Sequence, residues 1–181
     1  DSDNIPGVLL MAALTPFIMP LIDESQRSRF EFNTYVYGDS GSGKSAITKL
    51  LVDYFEGSPN IINLHSNKSE IDKIFEYKHC CVAIDDLCGT DSNRERENNE
   101  QKLSENLKRV QTPGQIVRDG KKIKNESMLF VTGEYLLKSS STLNRCLVVN
   151  LKDPIPPKEI NKLCQNKDQY LEMVRCFIEW V

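Results

Sequence analysis

A glycine-rich segment between a predicted strand and a predicted helix constrains the fold of this chain more than any other feature. The segment from Gly38 to Ser45, GDSGSGKS, fits the pattern GxxxxGK[ST]. Aromatic and β-branched residues from Phe30 to Tyr37 favour a strand before it, and apolar residues at helical spacing follow from Ala46 to Phe55. A strand, a glycine-rich turn and a helix in this order predict a phosphate-binding loop.

The residue types in this segment suit a triphosphate. Glycines let backbone N–H groups converge on phosphate oxygens, and the following helix directs its positive end at the same charge. Lys44 is predicted to contact the β- and γ-phosphates of ATP, and the Ser45 hydroxyl to bind Mg²⁺. A simple surface turn does not explain a lysine at a helix N-terminus, where a cation opposes the helix dipole. The predicted nucleotide-binding residues are Gly38, Asp39, Ser40, Gly41, Ser42, Gly43, Lys44 and Ser45.

Two carboxylates follow an apolar strand predicted over Cys80 to Ile84. They are Asp85 and Asp86. The carboxyl ends of parallel strands meet at one edge of a sheet, so we expect both beside the phosphate loop. Asp85 is predicted to lie in the Mg²⁺ coordination sphere, and Asp86 to act as general base on the attacking water. The alternative is a strand that simply ends in a polar turn. Without the neighbouring phosphate loop, this alternative would be the favoured interpretation.

Polar residues also flank two later predicted strands. Thr132 and Glu134 end the apolar run that begins at Met128, and either side chain is a candidate for orienting water at the same edge. Arg145 precedes the strand predicted from Cys146 to Leu151. It is a candidate for an arginine that stabilises charge on a neighbouring subunit's γ-phosphate, although a surface ion pair is the commoner role for such a residue.

Alternation of strands and helices along the chain predicts the fold class. We expect an α/β fold of the P-loop NTPase type, with a mostly parallel five-stranded sheet flanked by helices and an inserted basic β-hairpin. Residues 1–30 are predicted to form an apolar helical lead-in, residues 31–156 the ATPase core, and residues 157–181 a C-terminal helical extension. Because the sequence opens with Asp1 rather than Met, we expect a piece of a longer protein with further flanking domains.

The apolar lead-in is 18 residues without a charge, from Ile5 to Ile22, which reaches the lower limit for a membrane-spanning helix. Three prolines and the lack of a basic flank favour buried core instead. Thr15-Pro16 predicts the start of a second short helix. The six cysteines form no CxxC pair, so a reduced, cytoplasmic protein without a membrane anchor is expected rather than a zinc site or a disulfide framework.

A basic hairpin is predicted between Gln115 and Lys124. Asp119-Gly120 forms its two-residue turn and sets Arg118 opposite Lys121, a like-charge pair that costs stability unless a polyanion is present. From residue 108 to 124 the local charge is +5, in a chain of net charge −3. Arg118, Lys121 and Lys122 are therefore candidates to contact nucleic-acid phosphates. The alternative is that these charges only prevent edge-to-edge strand pairing.

The order of these motifs resembles the additional-strand, AAA+-like ATPase cores of superfamily 3 viral and plasmid helicases. A closer similarity is to primase-associated ATPases of phages and mobile elements, which have counterparts of LTPFIMPLI, YVYGDSGSGKS and LFVTGE. The resemblance covers Ile5 to about Pro156. The phosphate loop and the acidic strand end are common to many ATPases, so the hairpin and the VTGE and LNRC segments are what distinguish this family from the others. Superfamily 3 helicases usually place an asparagine where this chain has Glu134, which leaves Thr132 as the substitute polar sensor.

The resemblance implies an ATP- and Mg²⁺-dependent motor that forms a hexamer-type homo-oligomeric ring on single- or double-stranded DNA. It implies that Arg145 acts in trans as an arginine finger and that Lys121 and Lys122 form the strand-tracking tip of the hairpin. Two other functions remain open. The first is a small-molecule kinase, which needs a lid whose arginines close over the phosphates. The acidic segment from Asp91 to Glu100 is poor in arginines, which disfavours this function. A non-motor ATPase switch would use the hairpin to dock a protein.

Overall fold

The computed structural model describes residues 4–27, 31–53, 61–64, 72–87, 92–111, 116–118, 121–123 and 125–181. Two short 3₁₀ helices cover Met19–Leu21 and Asp72–Glu76. The α-helices are α1 (Ile5–Ile18), α2 (Glu24–Arg27), α3 (Lys44–Val52), α4 (Asn93–Gln111), α5 (Ser140–Leu143), α6 (Pro157–Gln165) and α7 (Lys167–Trp180). The strands are β1 (Asn33–Tyr37), β2 (Ile61–Asn63), β3 (Lys78–Leu87), β4 (Ile116–Arg118), β5 (Lys121–Ile123), β6 (Glu126–Gly133) and β7 (Cys146–Asn150).

Within the described parts of the chain, five strands form one parallel sheet in the order β2-β3-β6-β1-β7. The predicted α/β fold is therefore confirmed. Strand β6 lies between β1 and β3. Gly133, at the end of β6, pairs with Tyr37 on one side and with Leu87 on the other. The carboxyl ends of β1, β3 and β6 thus meet at one edge.

Both faces of the sheet are covered by helices. Ala12 and Ala13 of α1 pack with Val36 and Phe130 on one face. On the other face, Leu107 of α4 and neighbouring apolar residues pack against the alternate residues of the same strands. Strands covered on both faces are continuously apolar, which explains the uninterrupted hydrophobic runs in β3 and β6.

Helix α1 continues through Pro16, so the predicted break at Thr15-Pro16 is wrong. A proline in a helix leaves the carbonyl four residues earlier without its usual N–H partner. Here that carbonyl belongs to Ala12, and the Cys81 thiol on β3 donates to it at 3.7 Å. Tertiary packing therefore compensates the lost hydrogen bond. No helix among the described residues is long and apolar enough to cross a membrane.

Several predicted boundaries shift. The helix after the glycine-rich segment starts at Lys44, two residues before the predicted start at Ala46, and is described to Val52; the predicted end at Phe55 lies outside the described residues. A 3₁₀ turn over Asp72–Glu76 precedes β3. The final helical stretch is confirmed as two helices, α6 and α7, and the division of the chain at residues 30 and 156 stays a prediction.

The predicted hairpin is present as a separate two-stranded antiparallel sheet of β4 and β5. Arg118 pairs with Lys121 and Val117 with Lys122, which confirms the predicted register. The turn residues Asp119 and Gly120 lie outside the described residues.

Candidate nucleotide site

The glycine-rich loop joins the carboxyl end of β1 to the first turn of α3. Gly41 and Gly43 have φ values of +76° and +90°, which side chains with a Cβ rarely adopt. Gly43 is the N-cap of α3, and a Cβ there would lie 2.9 Å from the Ile160 side chain. Both glycines are thus required by the path of the loop, which presents the positive end of α3 to the cleft.

Lys44 is folded into the loop. Its ammonium donates to the carbonyl oxygens of Gly38 and Asp39 at 2.8 and 2.6 Å, and to the Ser42 hydroxyl at 3.2 Å. The side chain is only 7% exposed. A buried ammonium needs such partners, because burial without hydrogen bonds is costly. The loop therefore holds the lysine charge at the helix N-terminus, where the sequence predicted a phosphate contact.

Asp85 is the polar centre of the site. Ser45 and Thr132 both donate hydroxyl hydrogen bonds to Oδ1 of Asp85, at 2.8 and 2.5 Å. Lys49 places its Nζ 3.1 Å from Oδ2. Burial alone would raise the pKa of Asp85, but these hydrogen bonds and the lysine charge outweigh it and hold the pKa below its usual value of 3.8. Asp85 is therefore an anion at neutral pH.

The donor set fits Mg²⁺. Ser45 and Asp85 bring a hydroxyl and a carboxylate together, the oxygen ligands that Mg²⁺ takes from proteins. Among the described residues, no group of three or more His, Cys, Asp or Glu side chains could hold a metal ion. Mg²⁺ typically binds through one or two protein ligands and completes its shell with phosphate oxygens and water. This pair suits a metal that arrives with a nucleotide.

The loop and the strand ends enclose a cleft of about 290 Å³. Eight of the predicted functional residues line it together, namely Ser40, Gly41, Gly43, Lys44, Ser45, Asp85, Thr132 and Glu134. The Glu134 backbone N–H also donates to the Leu87 carbonyl at 3.1 Å, which joins the ends of β6 and β3 beneath the cleft. The structure thus brings the phosphate loop, the metal-binding pair and the polar end of β6 to one place.

Arg145 is not brought to this cleft, and the side chains of four other predicted residues are not described. Arg145 precedes β7 at the opposite edge of the sheet, where its guanidinium donates to the Gln111 side chain at 3.1 Å. Its proposed role concerns a neighbouring subunit and stays a prediction. Asp86 lies next to Asp85 in β3, but its side chain is outside the description, as are those of Arg118, Lys121 and Lys122. Their roles also stay predictions.

Lys49 was not predicted, although the sequence contains a signal for it. It lies four residues after Ser45, and residues four apart share one face of a helix. The Ser45 hydroxyl and the Lys49 ammonium accordingly reach the same carboxylate. The Lys49 ammonium therefore lies beside Asp85, the proposed Mg²⁺ ligand.

A family model described as nSTAND3, novel STAND NTPase 3, matches residues 33–147. The solved structure titled "The X-ray structure of JCV Helicase" is similar at 16% identity and a TM-score of 0.47, over 86% of this chain and 46% of that one. The chain thus spans less than half the length of that protein. No curated protein matches the chain. The family match covers more than half of the chain and includes the glycine-rich loop, Asp85 and Thr132. This chain belongs to the novel STAND NTPase 3 family.

Proposed function

We propose that this domain binds ATP with Mg²⁺ in the cleft between the glycine-rich loop and Asp85, and hydrolyses it. The observation that carries the proposal is the convergence of Lys44, Ser45 and Asp85 on one cleft, with the Ser45 hydroxyl 2.8 Å from the carboxylate. NTP hydrolysis in general is the activity of the family to which the chain belongs.

Each group has a defined task in this reaction. Lys44 and the N-terminus of α3 stabilise the negative charge of the phosphates. Ser45 and Asp85 would hold Mg²⁺, which when bound neutralises charge on the β- and γ-phosphate oxygens. Thr132 orients the Asp85 carboxylate through its hydrogen bond, and Glu134 lines the same cleft. Asp86 accepts the proton of the attacking water.

The role of Asp86 is tested by Asp86→Asn. The amide keeps the size of the side chain but is a poor base, so ATP binding persists while hydrolysis falls by a factor on the order of 100 or more. Binding is measured by calorimetry and turnover by phosphate release. Equal loss of binding and turnover would contradict the assignment of Asp86 as general base.

We also propose that the domain works as a DNA-dependent motor of a phage- or plasmid-type replication protein, in a hexamer-type ring. Support comes from the basic hairpin, in which Arg118 and Lys121 are directly paired. Like charges at paired positions repel unless a polyanion lies between them. In such a ring, Arg145 acts on the nucleotide of the neighbouring subunit.

A non-motor switch that remodels a protein partner is the second candidate. The observation that favours it is the state of Arg145, which is half-buried and bound to Gln111 rather than displayed to a neighbour. Turnover measured with and without single-stranded DNA, over a range of protein concentrations, separates the two. A motor is stimulated by DNA and by assembly, whereas a switch without a DNA partner shows neither effect.

A further inference from the structure

The segment that follows β7 lies directly against the glycine-rich loop, although the family match ends at residue 147. The Leu151 N–H donates to the Tyr37 carbonyl at 2.7 Å, just before the loop begins. The Ile155 N–H donates to the Ser42 carbonyl at 3.0 Å, within the loop itself. Backbone from the C-terminal part of the chain therefore supports the loop at two points.

Two isoleucines pack behind the loop at Gly43. A Cβ built on Gly43 would lie 2.9 Å from Cδ1 of Ile160 and 3.3 Å from Cβ of Ile155. Both side chains are half-buried. Among the residues of α6, all of which are described, Ile160 is the one that is not exposed. The contact of α6 with the core is therefore concentrated on the phosphate loop.

The hydrogen bond to Ser42 has a geometric consequence for the next residue. A peptide group is planar, and in the trans form its C=O and N–H point in opposite directions. No cis peptide occurs among the described residues. Because Ile155 holds the Ser42 carbonyl on its side of the loop, the N–H of Gly43 points the other way. Gly43 lines the cleft, so an N–H that points away from Ile155 is a candidate donor to a phosphate bound there.

We propose that Ile155 is a positioning residue for phosphate binding. Its backbone N–H fixes the Ser42–Gly43 peptide group, and Ile160 packs behind Gly43, so that the Gly43 N–H is oriented before a nucleotide arrives. A donor that is already oriented loses less conformational entropy when the ligand binds, so the affinity is higher. This inference rests on the proposed nucleotide binding and adds to it a contribution from residues beyond the family match.

The test compares Ile155→Pro with Ile155→Ala in the 181-residue chain. Proline removes the N–H, and Ile155 already precedes Pro156, a position that favours the extended backbone a proline also adopts. Alanine keeps the N–H and serves as the matched control. Binding of Mg·ADP is expected to weaken about fivefold in Ile155→Pro, as for loss of one backbone hydrogen bond, and to change less than twofold in Ile155→Ala.

Kinetics distinguish positioning from a purely structural role. The Gly43 N–H is proposed to act on binding, so KM for ATP should rise in Ile155→Pro by a larger factor than kcat falls. Equal Mg·ADP affinity in the two variants would overturn the role of Ile155 alone. Absence of Mg·ADP binding by the wild-type chain would overturn the proposed function instead.

A second measurement needs no variant. Coupling between two sites is reciprocal, so a nucleotide that binds better when the Ile155 hydrogen bond is formed must stabilise that bond to the same extent. Hydrogen exchange of the Ile155 amide is therefore expected to slow about fivefold on saturation with Mg·ADP. The Gln169 amide, which donates to Asn166 at the start of α7, serves as the internal control and should not change. An unchanged exchange rate at Ile155 would contradict the inference.

Discussion

Among single side chains, Asp85 determines how the cleft is organised. One carboxylate oxygen accepts the hydroxyls of Ser45 and Thr132, and the other lies beside the Lys49 ammonium. The Ser45 hydroxyl can donate to Asp85 and still offer a lone pair to Mg²⁺. The Ser45–Asp85 contact is therefore compatible with a bound metal.

The depressed pKa of Asp85 predicts a pH dependence of stability. An aspartate whose pKa is lower in the folded state than its unfolded value of 3.8 stabilises the fold above that pH. This contribution is lost as the pH falls below 3.8 toward the folded-state pKa. The free energy of unfolding in urea should thus decrease more between pH 5 and pH 2.5 in the wild-type chain than in Asp85→Asn. Identical decreases would show that the carboxylate is not held by its three donors.

The site shows what local patterns can and cannot predict. Lys44 and Ser45 were predicted because the loop motif is contiguous, and Lys49 could have been, because it lies one helical turn beyond Ser45. The contact of Thr132 with Asp85 depends on β6 lying beside β3, which no short pattern encodes. The hydrogen bond from Ile155 to Ser42 joins residues far apart in sequence and involves only backbone atoms, so side-chain identity gives no signal for it.

Among the helices and strands, burial separates the five described cysteines into two groups, and Cys88 lies outside the described residues. Cys80 and Cys81 lie in the buried part of β3 and Cys146 begins β7, whereas Cys164 of α6 and Cys176 of α7 are exposed. Helix α1 also shows how packing overrides a local rule, because it continues through Pro16 with Cys81 bonded to the freed carbonyl. The prediction of a helix boundary at Pro16 took account of the hydrogen bond lost within the helix but not of partners on neighbouring strands.

These environments predict an order of thiol reactivity. Burial raises the pKa of Cys80 and of Cys146 to about 11, so little thiolate is present at pH 8 and access is restricted. Of the five described cysteines, a thiol reagent at pH 8 should modify Cys164 and Cys176 before the strand cysteines, which react only on unfolding. Peptide mapping by mass spectrometry checks this order. Rapid modification of Cys80 in the native chain would contradict the packing of α1 and β3.

For the chain as a whole, charge is distributed unevenly. The net charge is −3, yet the region that contains β4 and β5 is strongly basic. The net charge by itself does not indicate a nucleic-acid partner, whereas the local charge and the hairpin register favour one. A protein that neutralises DNA phosphates releases counterions, so the logarithm of its affinity falls linearly with the logarithm of the salt concentration. The slope is proportional to the number of phosphate contacts.

Replacing both Lys121 and Lys122 by alanine tests the hairpin. We expect weaker binding of single-stranded DNA and a log–log salt slope that is smaller by about 1.4, since each lost phosphate contact removes about 0.7. ATP affinity should not change. The double variant Lys158→Ala with Lys162→Ala carries the same change of charge on the exposed helix α6 and is the matched control. Equal DNA binding by both double variants would refute a specific role for the hairpin.

The central claim is that the glycine-rich loop and Asp85 form one site for a nucleoside triphosphate. Calorimetric titration of the chain with Mg·ATP, in parallel with Lys44→Ala, tests it most directly. The account predicts saturable heat at one site per chain for the wild type and none for Lys44→Ala, whose loop lacks the buried ammonium. No heat with the wild-type chain, or the same affinity in Lys44→Ala, would contradict it.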